Sequence, residues 1–168
     1  MYITESTKLS DLKIPHLKML IEEKFNIPCW QQGKSPYPVP NTVGDLASAT
    51  DSDPSRIIKR IASLIRMVQT IELSMDELGD PNSLAGDFLL LDIRPSWSLD
   101  SNFIAGSRFL SAEDPGALVN EVKRAGKVLL VCDKGFRSFS GALYLRELGQ
   151  SKAFCLKGGI KSLNLNRA

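Results

Sequence analysis

The chain has few of the residues that metal centres and disulfide frameworks need. Its 168 residues include one histidine, His16, and three cysteines that lie far apart: Cys29, Cys132 and Cys155. A structural zinc site needs a cluster of cysteine and histidine ligands at short spacing, and an odd number of scattered cysteines does not form a disulfide framework. We therefore expect a reduced protein with no metal and no cofactor, and we interpret His16 as an ordinary surface residue.

Strong charge and long apolar runs are also lacking. The formal net charge is +2, which gives no electrostatic reason to expect binding to nucleic acid or to an anionic membrane. No apolar run is long enough to cross a bilayer, and the first residues, MYITESTKLSDLKI, lack the basic and then apolar layout of a secretory signal. The sequence thus predicts a cytoplasmic protein.

The composition supports a folded core, since 43% of the residues are hydrophobic. The length suits one α/β domain with an appendage. We divide the chain into an N-terminal extension, residues 1–68, and a second domain, residues 69–168. In the extension we expect a flexible lead over residues 1–10 and two helices, over 15–26 and 52–70, joined by an irregular proline-rich segment.

Several roles are open for this extension. The proline-rich segment is either an arm that packs its aromatic side chains or a docking peptide for a partner. Cys29 within it is either packed or a resolving thiol. The basic side of helix 52–70 is either solvated or bound to an acidic partner. We expect the two helices to pack on each other, on the second domain, or across a homodimer.

The segment Val128–Gly149 is the centre of the second domain. It opens with an apolar run, residues 128–131, that is typical of a buried strand. A short turn begins at Cys132, and after Arg137 the apolar residues follow helical spacing up to Gly149, where a helix C-cap favours glycine. The pattern predicts a strand, a tight loop and a helix, with a cysteine as the first loop residue.

The predicted loop provides a setting for a reactive thiol. A loop that leads into a helix directs several backbone N–H groups toward one point, and the helix N-terminus adds partial positive charge. Arg137 and Lys134 add full charges, and Gly135 permits a close approach of the backbone. We expect Cys132 to be substantially ionised near neutral pH. The alternative is a buried structural cysteine at a strand end.

Three motifs in this part of the chain resemble one known family. CDKGFRS, residues 132–138, is similar to the CxxGxRS active-site loop of the rhodanese (sulfurtransferase) family. LLLDIRP, residues 89–95, is similar to that family's LLDVR strand end, and LKGGIKSL, residues 156–163, is similar to its late LxGG turn. The resemblance covers about residues 69–168. It implies a rhodanese-like α/β domain, with a central, mostly parallel sheet that has helices on both faces.

The resemblance also implies an activity. Cys132 would attack the sulfane sulfur of a donor such as thiosulfate, hold it as a persulfide, and pass it to a thiol, cyanide or a protein acceptor. The implied partners are a small anionic sulfur donor and a protein sulfur acceptor. The residues expected to form the loop or bind substrate are Asp133, Lys134, Gly135, Phe136, Arg137 and Ser138. Asp92 and Arg94, at the end of an earlier predicted strand, either brace this loop or form an ordinary strand-end pair.

The sequence departs from the family pattern in several places. Where the family has an acidic residue followed by GHIPGA, this chain has Ser98, and Phe103 and Ala105 replace the histidine and the proline. Leu163 stands near the position of a family tryptophan. Asp133 places a negative charge beside the nucleophile, which disfavours a dianionic donor. Because the replaced family residues mainly organise a loop, we still expect catalysis.

Two other functions fit parts of the pattern. Cell-cycle dual-specificity phosphatases have a similar fold, but their catalytic loop is one residue longer. Here four residues separate Cys132 from Arg137, and this smaller ring suits a sulfur atom better than a tetrahedral phosphate. Phosphatase activity is therefore not expected. The remaining alternative is a non-enzymatic docking or redox-sensing module.

Overall fold

The computed structural model describes residues 2–27, 40–95, 103–110 and 115–163. Contacts divide the chain into two compact units, Met1–Val68 and Gln69–Ala168. The predictions for Cys29, for residues 28–39 of the proline-rich segment and for Ser98 concern residues that lie outside the described ranges.

The described part of the first unit is helical. Its α-helices are α1, Leu17–Phe25; α2, Val43–Ala49; and α3, Pro54–Val68. A short 3-10 turn, Leu9–Leu12, precedes them. Each helix buries an apolar stripe, and these stripes line a common interior that includes Leu20, Leu46 and Leu64.

Helix α2 occupies part of the segment that we expected to be irregular. It starts with a capping box: the Thr42 hydroxyl accepts the Asp45 N–H at 3.1 Å, and the Asp45 carboxylate accepts the Thr42 N–H at 2.9 Å. These two bonds satisfy backbone donors that a helix start otherwise leaves open. The described extension therefore contains three α-helices where two were expected.

The expectation of a flexible lead is wrong for residues 2–10. Leu9 is buried, and its N–H donates to the Asn41 carbonyl at 2.8 Å, while the Val43 N–H donates to the Thr7 carbonyl at 3.0 Å. The lead is thus fixed to the start of α2. Helix α1 begins later than expected because His16 has a left-handed φ of 52°, which a helix does not contain.

The second unit is built on a parallel sheet. Its strands are β1, Glu72–Leu73; β2, Leu89–Asp92; β3, Arg108–Phe109; β4, Val128–Val131; and β5, Ala153–Leu156. Among the described residues the strand order is β1-β5-β4-β2-β3, and every neighbouring pair is parallel. The central strand β4 covers the residues predicted for it.

Helices flank both faces of this sheet. They are α4, Met75–Leu78; α5, Leu84–Asp87; α6, Pro115–Arg124; and α7, Phe136–Glu147. On one face a buried cluster joins the strands to α5 and to the turn after β5: Leu84, Leu90, Leu129, Leu156 and Ile160. On the other face Leu91 and Leu130 line a groove together with side chains of α6 and α7. The α/β fold class expected from the resemblance is confirmed.

Among the described residues, no helix is both long enough and apolar enough to cross a membrane.

Candidate active site

Cys132 follows directly after β4, at the carboxyl edge of the sheet. Strand β4 pairs with β2 on one side and with β5 on the other, and Val128, Leu129 and Val131 are fully buried. The carboxyl ends of parallel strands meet at one edge, where open α/β sheets place their ligand sites. The strand thus holds Cys132 at the centre of that edge, where it is 2% exposed.

Ser138 provides two polar groups to the Cys132 sulfur. Because α7 begins at Phe136, Ser138 lies in its first turn, and it is fully buried. Its backbone N–H donates to Cys132 Sγ at 3.3 Å, and its Oγ lies 3.2 Å from the same sulfur. The hydroxyl also donates to the Gly135 carbonyl at 3.0 Å. A thiolate only accepts hydrogen bonds, so in that state the Ser138 amide donates to the sulfur, and the single hydroxyl proton can point to the sulfur in place of the Gly135 carbonyl.

The turn after β5 supports the cysteine loop through the backbone. The Ile160 N–H donates to the Cys132 carbonyl at 2.8 Å, and the Lys161 N–H donates to the Asp133 carbonyl at 3.0 Å. Gly159 has a φ of +69°, and a Cβ there would lie 2.5 Å from the Gly135 nitrogen. Only glycine permits this approach. The sequence predicts a turn at the double glycine by its resemblance to the family motif, but it does not predict the contact of this turn with the cysteine loop. Two consecutive glycines after a strand are the pattern that could have indicated such a close contact.

Four side chains of alternating charge form a row of ion pairs beside the loop. Arg94 is buried and donates to both carboxylate oxygens of the buried Asp92, with its Nη2 2.8 Å from Oδ2. Arg94 Nη1 lies 3.9 Å from Asp133 Oδ1, and Arg137 Nη2 lies 3.5 Å from Asp133 Oδ2. Asp92 and Arg94 therefore form a strand-end pair that also reaches the cysteine loop. The carboxylate of Asp133 lies between two arginines, so its charge is compensated.

The other predicted loop residues divide by exposure. Gly135 is buried and has a φ of +89°, which glycine adopts without strain. Lys134, Phe136 and Arg137 are exposed at the surface around the loop. The structure thus brings Asp92, Arg94 and residues 132–138 to one edge of the sheet.

Cys155 is a core residue. It is fully buried in β5, and burial raises the pKa of its thiol well above the usual range, with smaller contributions from the Glu72 carboxylate and from Cys132. Such a thiol stays protonated and unreactive near neutral pH. In the part of the chain that the structure describes, no three histidine, cysteine or acidic residues are grouped to hold a metal ion.

A model of the rhodanese-like domain family matches residues 74–166, which is more than half of the chain. The chain belongs to the rhodanese-like domain family. The family expected from the three motifs is therefore confirmed, and with it a relation to sulfur-transfer chemistry. No curated protein matches the chain.

Solved structures with similarity to the chain include other rhodanese-like proteins. Reduced Bacillus anthracis CoADR-RHD is 19% identical, over 66% of this chain and 19% of that one, with a TM-score of 0.46. The rhodanese homologue TT1651 from the extreme thermophile Thermus thermophilus is 28% identical, over 55% of this chain and 99% of that one, with a TM-score of 0.38. An NAD-dependent persulfide reductase from A. fulgidus is 18% identical, over 84% of this chain and 22% of that one, with a TM-score of 0.41. The chain thus spans about a fifth of the length of two of these proteins.

Proposed function

We propose that the chain is a sulfurtransferase in which Cys132 carries sulfane sulfur as a persulfide. The observation that carries this proposal is the pair of Ser138 groups at Cys132 Sγ, an amide N–H at 3.3 Å and a hydroxyl oxygen at 3.2 Å. Preorganised donors of this kind stabilise negative charge on sulfur. The thiolate is the form of cysteine that attacks a sulfur donor, and it is also the form restored at the end of the cycle.

The reaction has two steps. The Cys132 thiolate first attacks the outer sulfur of a donor such as thiosulfate. A new S–S bond forms, the donor S–S bond breaks, and sulfite leaves with the electron pair, so the negative charge passes to the enzyme persulfide. An acceptor thiolate or cyanide then attacks the outer sulfur, forms a thiol persulfide or thiocyanate, and restores the Cys132 thiolate. This is covalent catalysis with a ping-pong pattern.

The surroundings of the loop support both steps. Gly135 and Gly159 hold the loop backbone in a fixed conformation, so the amides at the start of α7 are oriented before a donor arrives. Arg94 and Arg137 compensate the charge of Asp133, which reduces its repulsion of an anionic donor. Lys134 is exposed beside them and attracts such a donor over a distance.

Intact-protein mass spectrometry tests the proposal. The reduced wild-type protein is incubated briefly with thiosulfate, measured, treated with cyanide and measured again. We expect a gain of one sulfur atom that cyanide removes. Cys132→Ser should not gain the sulfur. Cys155→Ala is the matched control, because it removes a buried thiol, and it should load like the wild type.

The outcome against the proposal is equally clear. If a folded and reduced sample gains no sulfur from thiosulfate or from 3-mercaptopyruvate, the chain is not a general sulfurtransferase. If sulfur is gained equally by Cys132→Ser, Cys132 is not the carrier.

A further inference from the structure

The charged groups beside the cysteine loop balance one another. Asp92 and Arg94 are buried and paired, and Asp133 lies between Arg94 and Arg137. This inner set has two positive and two negative charges. The inner set therefore carries no net charge, and any excess charge at this edge comes from residues farther out.

Three lysines supply this outer charge. Lys134 belongs to the cysteine loop, while Lys157 and Lys161 flank the double-glycine turn, and all three are exposed. The two segments form one surface, because the Lys161 N–H donates to the Asp133 carbonyl at 3.0 Å and the turn contacts Gly135. We call Lys134, Lys157 and Lys161 the lysine rim.

The carboxylate of Glu77, in α4, opposes part of the charge of the lysine rim. Among the described residues, no carboxylate forms a salt bridge with any of the three lysines. Lys157 does contribute to a lowered pKa of Glu77, although the hydrogen bonds that Glu77 accepts from Ser74 contribute more. The rim therefore presents a positive field to an approaching molecule.

The size of the rim fits a protein better than a small ion. Cys132 is 2% exposed, so a small donor has to reach a buried sulfur, whereas the rim lysines are exposed at the surface on two separate segments. Phe136 lies on the same surface and is 50% exposed. An aromatic side chain at this position offers apolar contact area, which a protein partner uses and a hydrated anion does not.

We propose that the lysine rim and Phe136 form a docking surface for an acidic protein, which carries its acceptor thiol to the sulfur of Cys132. The transfer of sulfane sulfur to this thiol rests on the proposed function, whereas the docking of the acidic protein does not depend on it. Complementary charge speeds the encounter of the two proteins and aligns the acceptor thiol above the loop.

Disulfide exchange measures this docking without any sulfane sulfur. Three cysteine peptides of equal length, with the cysteine flanked by glutamate, glutamine or lysine, are activated as 2-thiopyridyl disulfides. The Cys132 thiolate attacks the peptide sulfur, a mixed disulfide forms, and thiopyridone leaves with the electron pair. Its release is followed by absorbance in stopped flow, and the rate of Cys132→Ser is subtracted.

The acidic peptide should react fastest and the basic peptide slowest, by about tenfold at low ionic strength, and the difference should shrink as salt is added. Replacing all three rim lysines by glutamate should reverse the order. The matched control replaces Lys123, Lys127 and Lys152 by glutamate. These three exposed residues lie near the opposite edge of the sheet, and their replacement changes the net charge by the same amount. Phe136→Ala should slow the acidic peptide without reversing the order.

Several results would overturn the inference. They are equal rates for the three peptides at low salt, no release that depends on Cys132, or equal effects of the two triple variants. A rim variant that slows thiosulfate loading but does not alter the peptide order would assign the lysines to a small anion instead. If the peptide order holds while thiosulfate fails to load Cys132, the docking stands and only the proposed sulfur transfer fails.

Discussion

Ser138 contacts the Cys132 sulfur with both its backbone amide and its hydroxyl group, at 3.3 and 3.2 Å. The hydroxyl has one proton and two acceptors within reach, since the Gly135 carbonyl lies 3.0 Å away. When the sulfur is a thiol, the Ser138 hydroxyl donates its proton in a hydrogen bond to the Gly135 carbonyl. When the sulfur is a thiolate, the charge-assisted bond to sulfur competes with it.

Ser138→Ala should therefore slow the reaction of Cys132 with iodoacetamide at neutral pH. A hydrogen bond to a charged group contributes about 1.5–3 kcal/mol, so we expect the rate to fall by a factor of about 10 to 100. Ser140→Ala, in the same helix, is the control. A Ser138→Ala protein that reacts as fast as the wild type would show that only the amide matters.

Three glycine-to-alanine variants separate steric contact from backbone strain. Gly126 has open space around its Cβ position, Gly149 has open space but a φ of +97°, and Gly159 has both a positive φ and close contacts with the cysteine loop. We expect Gly126→Ala to change the free energy of unfolding by less than about 0.5 kcal/mol. Gly149→Ala should cost about 1–2 kcal/mol.

Gly159→Ala should cost more than Gly149→Ala, and it should also abolish persulfide formation. The added Cβ meets the backbone of Cys132, Asp133 and Gly135, so the loop has to move. Urea unfolding and sulfur loading by mass spectrometry provide the two measurements. Normal loading by a folded Gly159→Ala protein would contradict the role given to this contact.

The buried pair of Asp92 and Arg94 predicts an asymmetric response to mutation. Arg94→Met leaves a buried carboxylate without its guanidinium partner, which typically costs about 3–5 kcal/mol. Adding Asp92→Leu removes that carboxylate and should recover part of the stability. Both the single and the double variant lack the contact between Arg94 and Asp133. Cys132 should therefore react more slowly in both than in the wild type. Additive losses of stability in urea unfolding would count against coupling between the two residues.

The capping box of α2 predicts a pH-dependent stability. The pKa of Asp45 is lowered from its ordinary value of 3.8, first by the bond from the Thr42 N–H and then by the bond from the Asn41 N–H. A carboxylate with a lowered folded-state pKa stabilises the fold above its ordinary pKa, and this stabilisation is lost as the pH falls through the folded value. Asp45→Asn should thus lower the melting temperature at pH 7, and its deficit should vanish in acid. Asp11→Asn is the control, because Asp11 is an exposed acidic residue in the same unit. If the melting temperature of Asp45→Asn stays below that of the wild type in acid, the charge of Asp45 is not the cause of the difference.

Cys155 should resist alkylation in the folded protein. Burial raises the pKa of its thiol, so almost no thiolate is present at pH 7 to 8. Peptide mapping after iodoacetamide treatment should find Cys132 labelled and Cys155 unlabelled until urea unfolds the chain. Labelling of Cys155 at a rate similar to that of Cys132 in the native protein would show that β5 opens readily.

The sequence patterns predicted local elements well and long-range contacts poorly. The apolar run of β4 and the helical spacing of α7 each follow from neighbouring residues, so both were predictable. Helix α2 was missed because it is short and contains Gly44, although the Thr42 and Asp45 pattern of a capping box was present. The polar residues of the lead predict a flexible segment and do not reveal that Leu9 is buried.

The active site shows the same limit. The identity of the cysteine loop was predictable from its residues and from the family motif. The contacts of Arg94 with Asp133, and of Ile160 with Cys132, join segments that are distant in sequence. Packing of the whole sheet sets such contacts, and no periodicity within one element encodes them.

The dependence of the cysteine loop on the turn after β5 has a consequence for biosynthesis. The carbonyls of Cys132 and Asp133 accept N–H groups that follow both the next helix and the last strand. A ribosome therefore releases Cys132 before it releases the residues that shape its surroundings. We expect the nascent chain to pass through a stage at which Cys132 is translated but still an ordinary thiol, and alkylation of stalled chains of increasing length would reveal when its reactivity appears. Delaying reactivity in this way would protect the Cys132 thiol from oxidation until the fold is complete.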